Sequence, residues 1–597
     1  MIDLLLQESI KKALVSLYNI DVELKDITLY TTKKEFEGDF TLVVFPFVKQ
    51  ARKSPEQTAK EIGDYVVGDC EDIIGYNVIK GFLNFVVSND YWLRFINHFK
   101  TKYTFGYKPI RDEKPIVVEY SSPNTNKPLH LGHIRNNLLG WSVAEILKAN
   151  GYAVRKVNLV NDRGIHICKS MIAWQKFGQG ETPETSGLKG DHLVGKYYVL
   201  FDKEYKKEIA EMVSSGVDKE IAEKTANILI EAQEMLRKWE AKDKEVIDLW
   251  KRMNAWVYKG FDETYYKMGV DFDKVYYESE TYLLGKDLVR EGVEKGVLYK
   301  KEDNSIWCDL RSEGLDEKLL QRADGTSVYM TQDLGTATLR HNDFNSDNLL
   351  YVVGNEQNYH FDVLKLVLKK IGFDWAENLR HLSYGMVELP EGKMKSREGT
   401  VVDADDLIKE MINTAKEQTM EHGKTEGFTE AEADKLYWML AMGALKYFIL
   451  KVDPTKNMLF NPKDSIDFSG NTGPFIQYTH ARIRSIIRKA QEQKNINLDT
   501  LTIDFSSKLN SKELEIIRIL YQYPTIVDQA GKTFSPALIA NYVYDLAKSF
   551  NAFYQDVQIL REEDQDLMRM RIGIASFVGN TIKSAMELLG ITVPERM

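Results

Sequence analysis

The sequence predicts a multidomain α/β fold: a Rossmann-like parallel sheet with a helical insertion, an N-terminal α/β domain and a C-terminal all-α bundle. Length is the first observation, because 597 residues are too many for one hydrophobic core. The second is a strand–helix–strand pattern over residues 116–160, and the third is a helical pattern in nearly all of the sequence after residue 405. Together these observations predict several domains arranged around one parallel sheet.

The N-terminal α/β domain is predicted over residues 1–112. Its strands are expected at 40–47 and 82–87, with a helix after Ser54 and Pro55. A cluster of basic residues follows the first strand: Lys49, Arg52 and Lys53. An RNA contact and a solvated helix start explain this cluster about equally well.

The sheet domain is predicted over residues 113–405, with the helical insertion at about 190–300, where long charged stretches have a helical period. Strand patterns return after the insertion, at 305–310, 327–330, 349–353 and 381–388. Two βα blocks that flank a helical block indicate one parallel sheet split by an insertion. A helical connector over 406–460 and a helical domain over 461–597 complete the predicted division.

Composition restricts the class of protein. A net charge of −10 and a pI near 5.7 argue against indiscriminate nucleic-acid binding, but they do not exclude a nucleic-acid partner held by local basic patches. No apolar run is long enough to span a membrane, and the N-terminus has no signal-peptide pattern, so we expect a cytoplasmic protein. Three scattered cysteines, Cys70, Cys168 and Cys308, predict neither a disulfide framework nor a zinc site.

The most informative stretch joins the first predicted strand, which ends at Tyr120, to a helix expected from about Ile134 to Ala149. It contains residues suited to an anion at a helix N-terminus, which itself favours negative charge: Lys127, His130, Gly132 and His133. A second predicted strand, 154–160, completes a βαβ unit whose ligands bind at the carboxyl edge of the sheet. The histidines could instead cap the helix or bind a metal, but no third metal ligand lies nearby.

A second candidate loop lies between Gly392 and Gly399, directly after a predicted strand that ends at Glu388. Its residues Lys393, Met394 and Lys395 belong to a basic run that could cover a polyphosphate. A solvated surface loop is the alternative. The position at the carboxyl end of a strand favours the functional interpretation.

Two carboxylates predict a site for a cation. Glu119 ends a buried strand, where a charge needs a cation or strong donors. Asp333 could cap the helix that follows it, and this role alone would account for it. With Tyr329 as a donor and a flat wall, the two carboxylates could instead hold a cationic ligand.

These motifs resemble those of the arginyl-tRNA synthetases, a branch of the class I aminoacyl-tRNA synthetases. His130 to His133 is similar to the class I "HIGH" signature, and Lys393 to Arg397 is similar to its "KMSKS" partner. The runs that carry the closer likeness are EYSSPNTNKPLHLGH, YMTQDLGTATLR, YVVGNEQNYHF, SGNTGPFIQYTHARIRSIIRKA, the closing LGITVPERM and the N-terminal GDFTLVVF and GFLNF. The likeness covers essentially the whole chain.

The resemblance implies ATP-dependent activation of L-arginine to arginyl-adenylate and transfer to the 3′ end of tRNA(Arg), with release of AMP and diphosphate. The catalytic residues that it implies are Lys127, His130, His133, Lys393 and Lys395. ATP would contact His130, Gly132, His133, Met394 and Lys395. One departure is that Ser396 stands where the family usually has its second lysine. Whether Lys395 or Lys127 replaces that charge stays open.

By the same resemblance, the arginine-binding residues are Glu119, Ser122, Asn124, His130, Tyr329, Asp333 and Gln357. A planar guanidinium can form bidentate pairs that the ammonium group of lysine cannot form. Phe82 and Asn84 match positions that read a tRNA base, and the C-terminal bundle would hold the anticodon stem and loop. That bundle has basic and aromatic residues at helical spacing: Tyr478, His480, Arg482, Arg484, Arg488 and Lys489.

The implied partners are tRNA(Arg), L-arginine and ATP with Mg²⁺ as a substrate complex, in a monomer without zinc, a resident metal, an organic cofactor or a membrane contact. Other nucleotidylyltransferases with an HxGH motif lack a long terminal helical bundle. A cysteinyl-type enzyme would need metal ligands that three scattered cysteines do not provide. A catalytically silent tRNA-binding paralogue predicts damaged motifs, whereas both histidines and the basic loop are intact.

Overall fold

A computed structural model describes residues 1–33, 35–388, 402–421, 427–504 and 506–597. The N-terminal residues form a four-stranded antiparallel sheet, in the order β1-β2-β4-β3, with helices packed on it. Its elements are α1 (Ile2–Tyr18), β1 (Leu29–Thr31), β2 (Phe40–Val43), α2 (Phe45–Ala51), α3 (Pro55–Asp69), β3 (Ile73–Ile79), β4 (Phe82–Val87) and α4 (Asn89–Phe99). The strand predicted at 40–47 ends at Val43, because Phe45 and Pro46 begin a helix, where proline suits the first turn.

A five-stranded parallel sheet lies at the centre of the chain, in the order β12-β11-β5-β6-β7. The first elements of this unit are β5 (Ile116–Glu119), α5 (Leu131–Ala149), β6 (Val154–Val160) and α6 (Ile165–Phe177). After β5 the chain crosses to β6 on one side, while β11 pairs with β5 on the other side. This change of direction beside β5 is where open α/β sheets bind their ligands.

A helical insertion separates β6 from the next strand of the sheet. It consists of α7 (Pro183–Ser186), α8 (Gly190–Ser214), α9 (Lys219–Thr225), α10 (Asn227–Glu240) and α11 (Lys244–Met268). The sheet resumes at β7 (Lys274–Tyr277), which lies inside the range 190–300 that the sequence assigned to the insertion. This four-residue edge strand carries two exposed residues beside the buried Tyr276, so its apolar pattern is too weak to separate it from the helices.

A second connection brings the chain back to the other side of β5. It contains α12 (Glu278–Thr281), α13 (Gly285–Glu294), a small antiparallel sheet of β8 (Tyr299–Lys300), β9 (Ile306–Cys308) and β10 (Lys318–Gln321), and then α14 (Tyr329–Phe344). The main sheet ends with β11 (Asn348–Gly354), α15 (Asn358–Ile371) and β12 (Arg380–Tyr384). Residues 327–330 are not the predicted strand, because Tyr329 already begins α14.

The remaining described residues are mostly helical, as the sequence predicted. They form β13 (Val387–Glu388), α16 (Ala404–Glu421), α17 (Glu430–Leu450), β14 (Met458–Leu459), α18 (Pro462–Ser465), α19 (Gly473–Lys494), α20 (Ser511–Thr533), α21 (Pro536–Asp556) and α22 (Gln565–Leu588). Short 3-10 helices lie at Leu24–Asp26, Arg311–Glu313, Asn355–Gln357, Asp374–Asn378 and Ile559–Arg561. Among the helices that the structure describes, none has the length and apolarity to cross a bilayer.

The N-terminal unit shares its core with the C-terminal helices. Trp92 of α4 contacts the ring of Tyr521 at a centroid distance of 5.5 Å, and Phe95 contacts Phe577 at 5.6 Å. Near this contact Arg518 forms an ion pair of 2.6 Å with Asp39, a carboxylate that is almost fully buried. The first and last parts of the chain therefore pack together, and the C-terminal helices also pack on α5 of the sheet unit.

Candidate active site

The site begins where the central strand β5 ends. Ser121 and Ser122 follow it with φ values of 84° and 47°, a left-handed conformation that is costly for non-glycine residues. Neighbouring side chains hold this turn: Ser121 N–H donates to Asn136 Oδ1 at 2.5 Å, and Ser122 N–H donates to Asn158 Oδ1 at 3.0 Å. The turn brings the Ser122 hydroxyl within 3.2 Å of Glu119 Oε1. A strained backbone therefore places a hydroxyl beside the strand's terminal carboxylate.

The two histidines of the predicted phosphate loop cap helix α5 in a reciprocal arrangement. His130 is the N-cap residue, and its Nδ1 accepts the N–H of Gly132 at 3.2 Å. His133 Nδ1 in turn accepts the N–H of His130 at 3.2 Å, and the two rings lie 3.9 Å apart. Helix α5 therefore starts at Leu131, three residues before its predicted start. Capping and function are not alternatives here, because capping uses one nitrogen of each ring.

The hydrogen bonds also fix the tautomer of both rings. Because a backbone N–H donates to each Nδ1, the proton of each neutral imidazole is on Nε2. Burial, with a smaller effect of Lys127, lowers the pKa of His130 to about 4. Burial also lowers the pKa of His133 well below its usual value, with the neighbouring His130 adding to the effect. The loop therefore carries two neutral Nε2–H donors at physiological pH.

Gly132 lies close against the ring of His130. A Cβ at this position would lie 3.0 Å from His130 Cε1 and 3.1 Å from its Nδ1. Lys127 lies in the same loop and is half-buried, and burial lowers its pKa. The predicted partners Lys393, Met394 and Lys395 lie outside the described residues.

Glu119 has a cation inside the protein. Its carboxylate forms an ion pair with Arg340 of α14, and both side chains are almost fully buried. Burial raises the pKa of Glu119, which the charge of Arg340 opposes. Burial acts to lower the pKa of Arg340, but Glu119, Tyr351 and Asp333 together keep that pKa above its usual value. The buried carboxylate that the sequence left without a partner is therefore held by this arginine.

Asp333 does not cap a helix. It is the fifth residue of α14, whose N-cap is Val328, so the alternative of a capping role is wrong. Its Oδ2 lies 2.6 Å from His360 Nε2, and the carboxylate remains about one-third exposed. The charge of Asp333 acts on both Glu119 and Glu278 and raises the pKa of each. Three carboxylates from distant parts of the chain therefore share one electrostatic environment.

Glu278 is the member of this cluster that sequence reasoning missed. Burial raises its pKa to about 7; Arg163 opposes this rise, and Asp162 and Asp333 add to it. The Glu278 carboxylate forms no hydrogen bond with the residues that the structure describes, and Glu278 lines a cavity of about 800 Å³. Its position directly after β7, at the carboxyl edge of the sheet, is the signal that could have found it. Because β7 was not predicted, Glu278 was not placed at this edge of the sheet.

Two of the other predicted arginine-binding residues line this cavity. Asn124 and Tyr329 line it, and Tyr329 is 78% exposed. Gln357 is exposed at the end of the 3-10 helix after β11, at the same edge of the sheet. Arg163 also lines the cavity, where it stacks on the ring of Tyr282 at 4.0 Å and pairs with Glu240 at 3.1 Å.

The predicted tRNA-binding residues differ in accessibility. Phe82 is 42% exposed and forms an edge-to-face pair with Phe45 at a centroid distance of 6.0 Å. Asn84 is buried, and its amide is used inside the sheet: Nδ2 donates to Asn77 at 2.8 Å, and Oδ1 accepts from Thr41 at 2.6 Å. Phe45 and Phe82 are therefore exposed side by side, whereas Asn84 is not accessible on this surface.

The basic face of the C-terminal bundle contains a cleft of about 790 Å³. Its lining includes Tyr478, Arg482, Lys489, Tyr554 and Arg561. Arg482 lies over the rings of both tyrosines, at 4.8 and 5.4 Å. His480 is the exception to the predicted face, because it is buried and its Nδ1 lies 2.9 Å from the carbonyl oxygen of Pro594.

A parallel sheet with this histidine loop at its switch point, joined to a helical C-terminal domain, is the architecture of a class I aminoacyl-tRNA synthetase. Family models agree: residues 98–462 match the catalytic domain of class I tRNA synthetases (R), residues 4–87 match the arginyl tRNA synthetase N-terminal domain, and residues 476–597 match the DALR anticodon binding domain. Among curated relatives, an arginine–tRNA ligase of Bacteroides fragilis is 58% identical over 590 residues, which are 99% of this chain and 98% of the relative. One of Porphyromonas gingivalis is 56% identical over 593 residues, which are 99% of each chain.

The solved arginyl-tRNA synthetase of Thermus thermophilus has the same fold, with a TM-score of 0.80 over the full length of both chains at 22% identity. The chain belongs to the arginyl-tRNA synthetase family. It is an arginine–tRNA ligase, which uses ATP to activate L-arginine as arginyl-adenylate and transfers the arginyl group to the 3′ end of tRNA(Arg), with release of AMP and diphosphate. The fold class and the function predicted from the sequence are therefore confirmed.

Proposed function

We propose that the histidine loop binds the phosphates of ATP and stabilises the charge that develops during adenylate formation. The arginine carboxylate attacks the α-phosphorus, a P–O bond to that carboxylate forms, and the bond to diphosphate breaks. Negative charge grows on the phosphoryl oxygens, so fixed donors lower the barrier. The two Nε2–H groups of His130 and His133 and the ammonium group of Lys127 are suitable donors.

The neutral state of both rings supports this role. A neutral imidazole with a fixed Nε2–H donates a hydrogen bond without a change of protonation during the reaction. Because burial lowers the pKa of His130 to about 4, its charge state does not change near neutral pH. Gly132 would leave room for the nucleotide as well as for the His130 ring. Lys393, Met394 and Lys395 complete the proposed ATP-binding set on the basis of the family motif.

The carboxylate cluster is proposed to select arginine by its guanidinium group. The observation that carries this proposal is Glu278, a partly buried carboxylate without a hydrogen bond among the described residues, beside Asp333 and on the wall of a cavity. A planar guanidinium can bridge two carboxylates with paired N–H donors, whereas lysine presents a single ammonium. Since Glu119 is already paired with Arg340, its proposed role is to fix Ser122 and the turn rather than to meet the substrate's cation.

The remaining proposed contacts of arginine follow from their positions. Ser122, Asn124 and His130 lie on the loop that leaves β5, so they can reach the α-amino and carboxylate groups of the amino acid. Tyr329 and Gln357 come from the far side of the switch point, where they can enclose the side chain. Polar selection of this kind can discriminate by roughly 10⁴-fold or more without a separate editing site.

For the nucleic acid, we propose that Phe82 stacks on a tRNA base with Phe45 beside it, and that the cleft lined by Tyr478 and Arg482 faces the anticodon loop. Aromatic faces and arginine planes are the surfaces on which unpaired bases stack. Asn84 would support Phe82 from within the sheet, because its amide is hydrogen-bonded to Asn77 and Thr41.

We further propose a cytoplasmic monomer that takes ATP with Mg²⁺ and needs neither zinc nor an organic cofactor. The domain divisions predicted at residues 112, 405 and 460 stay predictions.

The arginine pocket is tested by Asp333→Asn in steady-state aminoacylation. Loss of the carboxylate should raise KM for arginine by at least about tenfold, while KM for ATP changes little, because charge-assisted hydrogen bonds contribute about 1.5–3 kcal/mol. Asp343→Asn, on the same helix but paired with Lys274 and Tyr276, is the matched control and should behave as wild type. Equal losses for arginine and ATP would refute the assignment.

A further inference from the structure

Asp405, in the first turn of α16, is surrounded by cations of the helical insertion. Its Oδ1 lies 2.9 Å from Lys267 Nζ of α11, and its Oδ2 pairs with Lys189 and with His192 Nε2, the latter at 3.2 Å. The hydroxyl of Thr264 also donates to Oδ2, at 3.2 Å. One carboxylate therefore joins α16 to the start of α8 and to the end of α11.

The residues just before Asp405 pair with the histidine loop. Leu131 N–H donates to the carbonyl oxygen of Val402 at 3.1 Å, and Ala404 N–H donates to that of Leu129 at 2.9 Å. These two bonds form an antiparallel bridge between His130 and Asp403. The backbone on both sides of the His130 ring is thus fixed to residues 402–404.

Further contacts strengthen the connection. The carboxylate of Asp403 accepts the N–H groups of Asp405, at 2.8 Å, and Asp406, at 3.2 Å, so the bridge and the first turn of α16 form one unit. Helix α8 also approaches the loop directly, because a Cβ at Gly195 would lie 2.9 Å from Pro128. The insertion, the bridge and the histidine loop are in continuous contact.

We propose that Asp405 is a positioning residue for adenylate formation. Its ion pairs hold residues 402–404 against the helical insertion, and residues 402–404 in turn hold the backbone of His130. Asp405 does not touch the reacting atoms. Its negative charge offsets the repulsion among two lysines and a histidine of the insertion, so the insertion can lie close to residues 402–404 and to the loop. Asp191 and His192 lie close enough to Asp405 to suggest a metal site, but Lys189 and Lys267 already occupy the carboxylates.

The test is Asp405→Asn in the full-length protein, with aminoacylation kinetics measured separately for each substrate. Because small displacements of a binding group cost roughly tenfold to a hundredfold, kcat/KM for ATP should fall by about that factor, whereas KM for tRNA should stay within about twofold. Asp405→Glu keeps the charge and should recover most of the loss. Asp406→Asn, an exposed neighbour on the same turn, should match wild type.

A purely structural role predicts a different result. Asp405→Asn would then lower the melting temperature and the active fraction, with KM for ATP unchanged, and such a result would overturn the proposal. So would an unaltered kcat/KM for ATP. If the variant folds poorly, Lys267→Met removes a partner that is about half-exposed, and the proposal requires the same selective loss for ATP.

The inference rests on the proposed role of His130, and the two can fail separately. His130→Ala should lower kcat/KM for ATP by more than Asp405→Asn does. If His130→Ala has no effect on ATP, the proposed ATP site fails and this inference fails with it. If His130→Ala impairs ATP use but Asp405→Asn and Lys267→Met do not, the ATP site stands and the positioning role is refuted.

Discussion

At the scale of single residues, burial sets the charge state of the site. The two histidines are neutral because burial disfavours their cations, and Glu278 has a raised pKa because burial disfavours its anion. The two histidines proposed as donors for ATP therefore keep their neutral form across the physiological range. The acceptor proposed for arginine, in contrast, titrates near neutrality.

Glu278 gives arginine binding a predicted pH dependence. Its pKa is raised to about 7, so the carboxylate becomes protonated as the pH falls through that value and loses its attraction for a guanidinium. KM for arginine should therefore rise as the pH is lowered from about 8 to about 6. Glu278→Gln should have a high KM for arginine at every pH, at least about tenfold above wild type at the alkaline end.

The comparison with Glu280→Gln isolates this effect. Glu280 is exposed and lies two residues further on the same short helix, so its removal should leave the profile as in wild type. If KM for arginine depended on pH in Glu278→Gln as it does in wild type, the titrating group would not be Glu278.

Residues that are adjacent in sequence could be predicted, and residues brought together by the fold could not. His130 and His133 share one turn, so their spacing was visible. Arg340 and His360, which pair with Glu119 and Asp333, lie 221 and 27 residues away from them, and nothing in the sequence indicated those contacts. The Glu119 carboxylate was correctly expected to need a cation, but that cation is a protein side chain.

At the scale of elements, the start of α5 does two things at once. The reciprocal cap between His130 and His133 satisfies backbone N–H groups that a helix start leaves unpaired, and it does not use the Nε2–H group of either ring. Gly132 makes this possible because a side chain there would press on the His130 ring.

Gly132→Ala should therefore impair ATP use without unfolding the protein. The new Cβ would lie about 3 Å from the ring and displace it, so kcat/KM for ATP should fall by roughly tenfold or more. Alanine is the better helix former by roughly 1 kcal/mol, so the melting temperature should change little. Gly68→Ala in α3, where no atom lies within 4 Å of the new Cβ, is the control. A Gly132→Ala enzyme with normal ATP kinetics would contradict this account.

Element types were predictable where the element is long. The strand at 154–160 matches the prediction in full; it has seven residues, and five of them are buried. The short edge strand β7 was missed, and residues 327–330 were predicted as a strand although α14 starts there. Short segments carry too few residues for periodicity to decide between helix and strand.

At the scale of the whole molecule, the two ends of the chain form one packed unit. Trp92 and Phe95 of α4 lie among aromatic rings of the C-terminal helices. Removal of residues 1–112 would expose this shared core, so point substitutions on the surface are the better test of the N-terminal domain. Sequence patterns did not reveal the shared core, because periodicity identifies a buried face but not its partner.

Phe82→Ala should weaken tRNA use selectively. Loss of one stacking surface costs about 1–3 kcal/mol, so KM for tRNA should rise roughly fivefold or more, while KM for arginine and ATP stay unchanged. Phe45→Ala should act in the same direction, because the two rings form one exposed pair.

Ile74→Ala provides the control for these two variants. Ile74 is 62% exposed on β3 of the same sheet and is not part of the aromatic pair, so tRNA kinetics should be unaffected. Normal tRNA kinetics in both phenylalanine variants would remove the proposed base contact from this surface.

The central claim is that one site at the carboxyl edge of the sheet selects arginine and joins it to tRNA with ATP. It is tested most directly by charging total tRNA with each radiolabelled amino acid in turn, with and without ATP, in the wild type and in Glu278→Gln. We expect ATP-dependent charging with arginine alone and a strong loss of charging at limiting arginine in the variant. Comparable charging with lysine, or charging of arginine that Glu278→Gln leaves unchanged, would contradict it.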